Sequence, residues 1–143
     1  MSENYESIFL SGQDRNVEQL GTFVAWLVTS DLLDVSLERS AASSIARVRM
    51  QDLTGPEFLT TVLHGEFKPS HLKQLGRDFT DDYFVSGPYD ADYEACEYTG
   101  ENEWIRFDEV SPRITAAFRE FNRPKSILRS LRAKIIKFPD RTR

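Results

Sequence analysis

Apolar residues along this chain recur mostly three and four positions apart, the spacing that stacks side chains on one face of an α-helix. Val17, Leu20, Val24, Leu27 and Val28 mark such a face, Phe23 and Trp26 widen it, and together they predict a helix from Val17 to Leu33. Asn16, with Gln19 three residues on, has the pattern of a capping box at its start. A helix apolar on more than one side belongs at the centre of a core. Thr54-Gly55-Pro56-Glu57 is a second capping box, with proline in the first turn and Phe58, Leu59, Val62 and Leu63 as the buried face; Gly65 is the expected stop. A third helix opens around Pro69, carries Leu72, Leu75, Phe79 and Tyr83 in register, and ends before Ser86-Gly87-Pro88.

Tyr89, Tyr93 and Cys96 fit a short acidic helix that ends near Gly100. Ser111-Pro112 reads as N-cap and first helical residue of a further helix, with Ile114, Ala117, Phe118 and Phe121 inward and Arg123-Pro124 as its break. Ile127, Leu128, Leu131, Ile135 and Ile136 then predict a basic amphipathic helix over residues 124–138. Two stretches depart from helical spacing. Ala46 to Met50 alternates Val48 and Met50 with Arg47 and Arg49, which suits a short strand or an extended loop, and Trp104 to Phe107 also has an extended pattern. Ala41 to Ile45 is small and mixed, and Ile8, Phe9 and Leu10 begin a short strand or pin the terminus to the core. The expected fold is mainly α: one compact domain over residues 1–143 with five or six helices and short extended segments near 46–50 and 104–107. A chain of 143 residues can bury a real core without disulfides or metals.

Charge changes this picture at two places. Asp78 to Glu109 holds eleven acids and one base, Arg106, a net charge of −10. Interleaved with the acids are Tyr83, Phe84, Tyr89, Tyr93, Tyr98, Trp104 and Phe107. Acids together with aromatics describe a surface suited to a basic protein partner, because aromatic anchors carry affinity and complementary charge speeds encounter. On that reading Asp81, Asp82, Asp90, Asp92, Glu94 and Glu97 face Lys or Arg of the partner, while Tyr83, Tyr89, Tyr93 and Trp104 fill its pockets. The alternative is that the rings point inward as core and the acids only solvate that edge. Residues 123–143 carry eight bases and one acid, +7, against −12 for the rest of the chain. Such an end can bind nucleic acid or an anionic membrane, or can pack on its own acidic domain. Its helical apolar face favours packing, and the acidic body would repel a polyanion.

The order Phe23-Val24-Ala25-Trp26-Leu27-Val28, Asp31-Leu32-Leu33, Leu53-Thr54-Gly55-Pro56-Glu57-Phe58-Leu59, Asp82-Tyr83-Phe84 and Tyr89-Asp90-Ala91-Asp92-Tyr93 resembles a family of small bacterial proteins classed only as a domain of unknown function. The resemblance covers about residues 17 to 122. Its motifs are mostly core and capping residues, which imply a fold more than an activity. By size and character alone, the chain is also similar to immunity proteins encoded beside bacterial polymorphic toxins. That similarity implies a cytoplasmic inhibitor of one cognate toxin, and no catalytic residues.

Enzyme chemistry has little to stand on in this sequence. His64 and His71 lie outside any HExxH or Cys/His zinc spacing. Cys96, the only cysteine, has acidic neighbours that oppose a thiolate. Asp81-Asp82 and the series Asp90, Asp92, Glu94 contain carboxylates enough for a dyad or a hard-cation site, but no DxDxDG loop with a closing glutamate accompanies them. The expectation is a protein that is not an enzyme and needs no cofactor or metal. A single cysteine, a start without a basic and apolar leader, and the lack of any run of roughly 18 apolar residues agree with a cytoplasmic protein without membrane or nucleic-acid partners. The expected function is to bind and neutralise a cognate toxin by covering its active-site cleft with the acidic and aromatic surface. The runner-up is a non-enzymatic module binding nucleic acid or anionic membrane through its basic end.

Overall fold

The fold is organised by one helix that is almost wholly inside. In the computed structural model, which describes residues 17 to 123, helix α1 (Val17–Thr29) buries the ten consecutive residues Gln19 to Val28. Neighbours therefore cover it on all sides, as its sequence predicts. Among the described residues six more α-helices follow: α2 (Val35–Ser40), α3 (Ala42–Arg49), α4 (Gly55–Thr61), α5 (Gln74–Phe79), α6 (Pro88–Glu94) and α7 (Glu103–Phe121). A 3-10 turn (Pro69–His71) precedes α5, and a π-helical turn (Thr80–Val85) extends it. The result is one compact, mainly helical domain, with no strand among the described residues and one isolated antiparallel bridge, Leu33 to Leu72.

Helices α1 and α4 meet through glycine. A methyl group on Gly21 would collide with the backbone of Pro56, and one on Gly55 would collide with the Gly21 carbonyl. No other residue permits this approach. The Thr54–Glu57 capping box is complete: Thr54 Oγ1 accepts from the Glu57 N–H at 3.2 Å and the Glu57 carboxylate accepts from the Thr54 N–H at 2.9 Å. It anchors the start of the helix that packs most closely on α1.

Several expected boundaries change. Helix α1 stops at Thr29 rather than Leu33, because Asp31 takes a positive φ of 63° and Leu32 and Leu33 run into the bridge with Leu72. Residues 46–50 are not extended. Helix α3 runs through Arg49 with Ile45 and Val48 buried three residues apart, and Met50 is 70% exposed, so the apparent alternation did not mark an inward face. Residues 104–107 are not extended either. Asn102 caps α7, its Oδ1 accepting from the Trp104 and Ile105 N–H groups at 3.0 and 3.3 Å, and Phe107, Val110 and Ile114 then fall inward at helical spacing. Ser111-Pro112 is therefore no helix start; Pro112 sits exposed inside α7. The third predicted helix is three pieces, interrupted by extended Leu72 and Lys73. Its last piece winds as a π turn, whose wider spiral keeps residues four apart nearly aligned. Phe79 and Tyr83, and with them Thr80 and Phe84, all stay in the core this way. The predicted helix over 124–138, the Asn16 cap and the Ile8–Leu10 segment lie outside the described residues.

Candidate functional site

The Asp78 to Glu109 stretch has two sides with opposite jobs. Its rings go inward. Phe23 of α1 stacks on Phe84 at 4.9 Å between centroids and meets Tyr89 at 5.2 Å, and Phe79 stacks on Tyr83 at 5.0 Å. Tyr83 and Tyr89 are buried, which withdraws these two predicted anchors from any surface. The Tyr89 hydroxyl donates to the Gln19 carbonyl at 2.6 Å, and burial pushes its ionisation far above the usual tyrosine range. Burial likewise raises Tyr83, helped by its bond to Asp92 Oδ2 at 2.6 Å. Tyr93 and Trp104 are half-buried against the core, Tyr93 beside Tyr89 and Trp104 edge-on to Phe107 at 5.1 Å. Burial pushes the Tyr93 hydroxyl up to about 12.

The acids divide. Asp90 and Asp92 are half-buried and turned partly to the fold, Asp90 accepting from Gln19 Nε2 at 2.9 Å and Asp92 from Tyr83. Asp81 and Asp82 are exposed on the π turn. Glu94, at the end of α6, and Glu97 and Glu101, in the loop that follows, are exposed and meet no Lys or Arg among the described residues.

That loop is held in shape by residues the acid count alone could not distinguish. The Glu109 carboxylate of α7 accepts the Glu97 N–H at 2.6 Å, the Cys96 thiol at 3.2 Å and the Tyr98 N–H at 3.1 Å. These donors, led by the Glu97 N–H, hold the Glu109 carboxyl below the ordinary glutamate range, while burial and the Glu109 bond raise the Cys96 thiol. The Tyr98 hydroxyl accepts the Asn102 N–H at 3.0 Å, and the Arg106 guanidinium lies 5.7 Å from the Tyr98 ring centroid while donating to the Gly100 carbonyl. A Cβ at Gly100 would run into the folded-over Tyr98 ring, so a larger residue there would have to push that ring aside. Arg106 also pairs with Glu103 at 3.0 Å, and Glu103 accepts from the Thr22 hydroxyl of α1 at 2.6 Å. With the Glu103 side chain only 9% exposed, desolvation raises its carboxyl above the usual range despite both partners. Tyr98, Arg106 and Glu109 entered the sequence reading only as composition, and Asn102 was not singled out; the one available signal for the loop's shape was the Asn102 cap.

The arrangement presents charge on a fixed backbone. Ile105, 47% exposed, is the large apolar side chain that stands out of α7 just beyond the loop. Among the described residues no group of three or more His, Cys, Asp or Glu is placed to hold a metal ion, and no helix is long and apolar enough to cross a membrane. His64 is exposed; His71 is half-buried, its Nδ1 accepting from the Lys68 N–H at 3.1 Å, with burial lowering its pKa.

A family profile described as a domain of unknown function, DUF7832, matches residues 5–105. The chain belongs to the DUF7832 family. The DUF7832 match takes in α1 to α6, the acidic loop and the Asn102 cap, and ends in the first turn of α7, short of the position near 122 that the sequence resemblance implied. No curated protein and no solved structure matches the chain.

Proposed function

We propose that this DUF7832 protein is an immunity-type protein, a binder that neutralises a cognate toxin by laying an acidic surface over its active-site cleft. The observation that carries the reading is the loop after α6. Glu97 and Glu101 stand exposed on a backbone that Glu109, Tyr98 and Arg106 already hold in place, with Glu94 one turn before it. Carboxylates presented on an ordered loop lose little conformational entropy on binding, which favours association with a basic cleft. Toxins that act on anionic substrates, such as nucleases, have such clefts. The contact is electrostatic with Ile105 as its apolar neighbour, since Tyr83 and Tyr89 are committed to the core.

Co-expression with the product of the adjacent gene tests this. The expected result is relief of growth arrest and a stoichiometric complex, whose association rate falls between low and physiological ionic strength. An adjacent product that is harmless, or that forms no complex even at low salt, overturns the reading. The nucleic-acid or membrane alternative rests on residues outside the described ones, and no observation favours it.

A further inference from the structure

We propose that the basic segment after Arg123 folds back onto its own domain and covers the outer face of α5 and its π turn. The described chain ends beside that helix: Phe121, in the last turn of α7, lies 5.5 Å from the buried Phe79 of α5 between ring centroids, and Leu75 is one turn from Phe79 along α5. Residues 124–143 thus begin next to α5 and have length enough to run along it. Leu75, Asp78 and Asp82 are exposed there, three and four residues apart along the helix. Leu75 is 37% exposed, and Asp82 meets no Lys or Arg among the described residues. Carboxylates in the closing turns of a helix are unfavourable against its dipole, and an apposed cation would relieve them.

The segment matches this face in chemistry. It carries seven bases (Lys125, Arg129, Arg132, Lys134, Lys137, Arg141 and Arg143) against Asp140, a net charge of +6. Ile127, Leu128, Leu131 and Ile135 offer an apolar stripe for Leu75 and the half-buried Phe118 and Phe121. The opposite terminus is the other candidate occupant, but residues 1–16 carry Glu3, Glu6 and Asp14 against Arg15 and would be repelled. This docking is independent of the partner reading, which rests on Glu94, Glu97 and Glu101.

Hydrogen exchange on the full chain tests it, with α1 amides as the internal control for folding. In the wild type, amides of residues 126–136 exchange on the order of tenfold or more slower than free-chain rates. Asp78→Lys with Asp82→Lys removes that protection while α1 stays protected. Adding Arg129→Glu and Arg132→Glu to the reversed protein restores part of it. Free-chain exchange in the wild type, or protection indifferent to the reversal, overturns the proposal. Protection that grows with protein concentration also overturns it, because the occupant is then the segment of a second copy.

Discussion

Residues 78–109 form two surfaces that answer to different physics. On the inner one, Tyr83, Phe84 and Tyr89 pack around Phe23, and both tyrosine hydroxyls are bonded within the fold, Tyr83 to Asp92 and Tyr89 to the Gln19 carbonyl. On the outer one, Glu94, Glu97 and Glu101 project into water from a backbone held by Glu109. The same composition, acid interleaved with ring, therefore carries stability on one side and leaves charge available on the other. What divides the two is direction alone. A substitution should be felt in folding or in association according to the surface it touches, with the α7 residues that join the surfaces felt in between.

The largest effect is expected at Tyr89. Tyr89→Ala empties a fully buried ring site and should cost about 3–5 kcal/mol of unfolding free energy, read by chemical denaturation. Tyr89→Phe keeps the ring and loses only the hydroxyl's bond to the Gln19 carbonyl, which stays a helical acceptor, at about 1 kcal/mol. A near-neutral Tyr89→Ala would mean that the inner surface is not the core described.

Glu103 sharpens the comparison by pH. Its folded pKa lies above its unfolded value because of desolvation, so its stabilising contribution is full at pH below the unfolded value and is lost as pH rises through the folded one. Stability of the wild type relative to Glu103→Gln should therefore fall from acidic towards neutral pH, and a parallel pair of pH curves would contradict the assigned burial. Glu109→Ala is milder and local. The amides of Glu97 and Tyr98 should exchange on the order of tenfold faster with α1 unaffected, because only the loop loses its acceptor.

Much of this fold was legible from spacing and capping. The α1 periodicity and the Thr54–Glu57 box state local rules, and the structure repeats both. The errors arose where a strong local signal was not the operative one. Ser111-Pro112 has the chemistry of a helix start, yet the Asn102 cap nine residues earlier had already begun α7. Val48 and Met50 alternate by type, but Val48 pairs with Ile45 around a helix and leaves Met50 in water. The candidate site was legible as composition only. Nothing in the order of residues tells that Tyr83 points in while Asp82 points out, because that is decided by the π turn and by what α1 offers on its far side. The role of Glu109 was hidden for a related reason: its partners lie eleven to thirteen residues away, across a turn that no short motif encodes.

The central claim is that the outer surface serves association and not the fold. The direct test is Glu94→Gln, Glu97→Gln and Glu101→Gln together, measured for complex formation with the adjacent gene's product and for unfolding free energy. The account predicts stability within about 0.5 kcal/mol of the wild type, as for surface substitutions generally, together with loss of the complex at physiological ionic strength. A complex of undiminished affinity on an intact fold would contradict it.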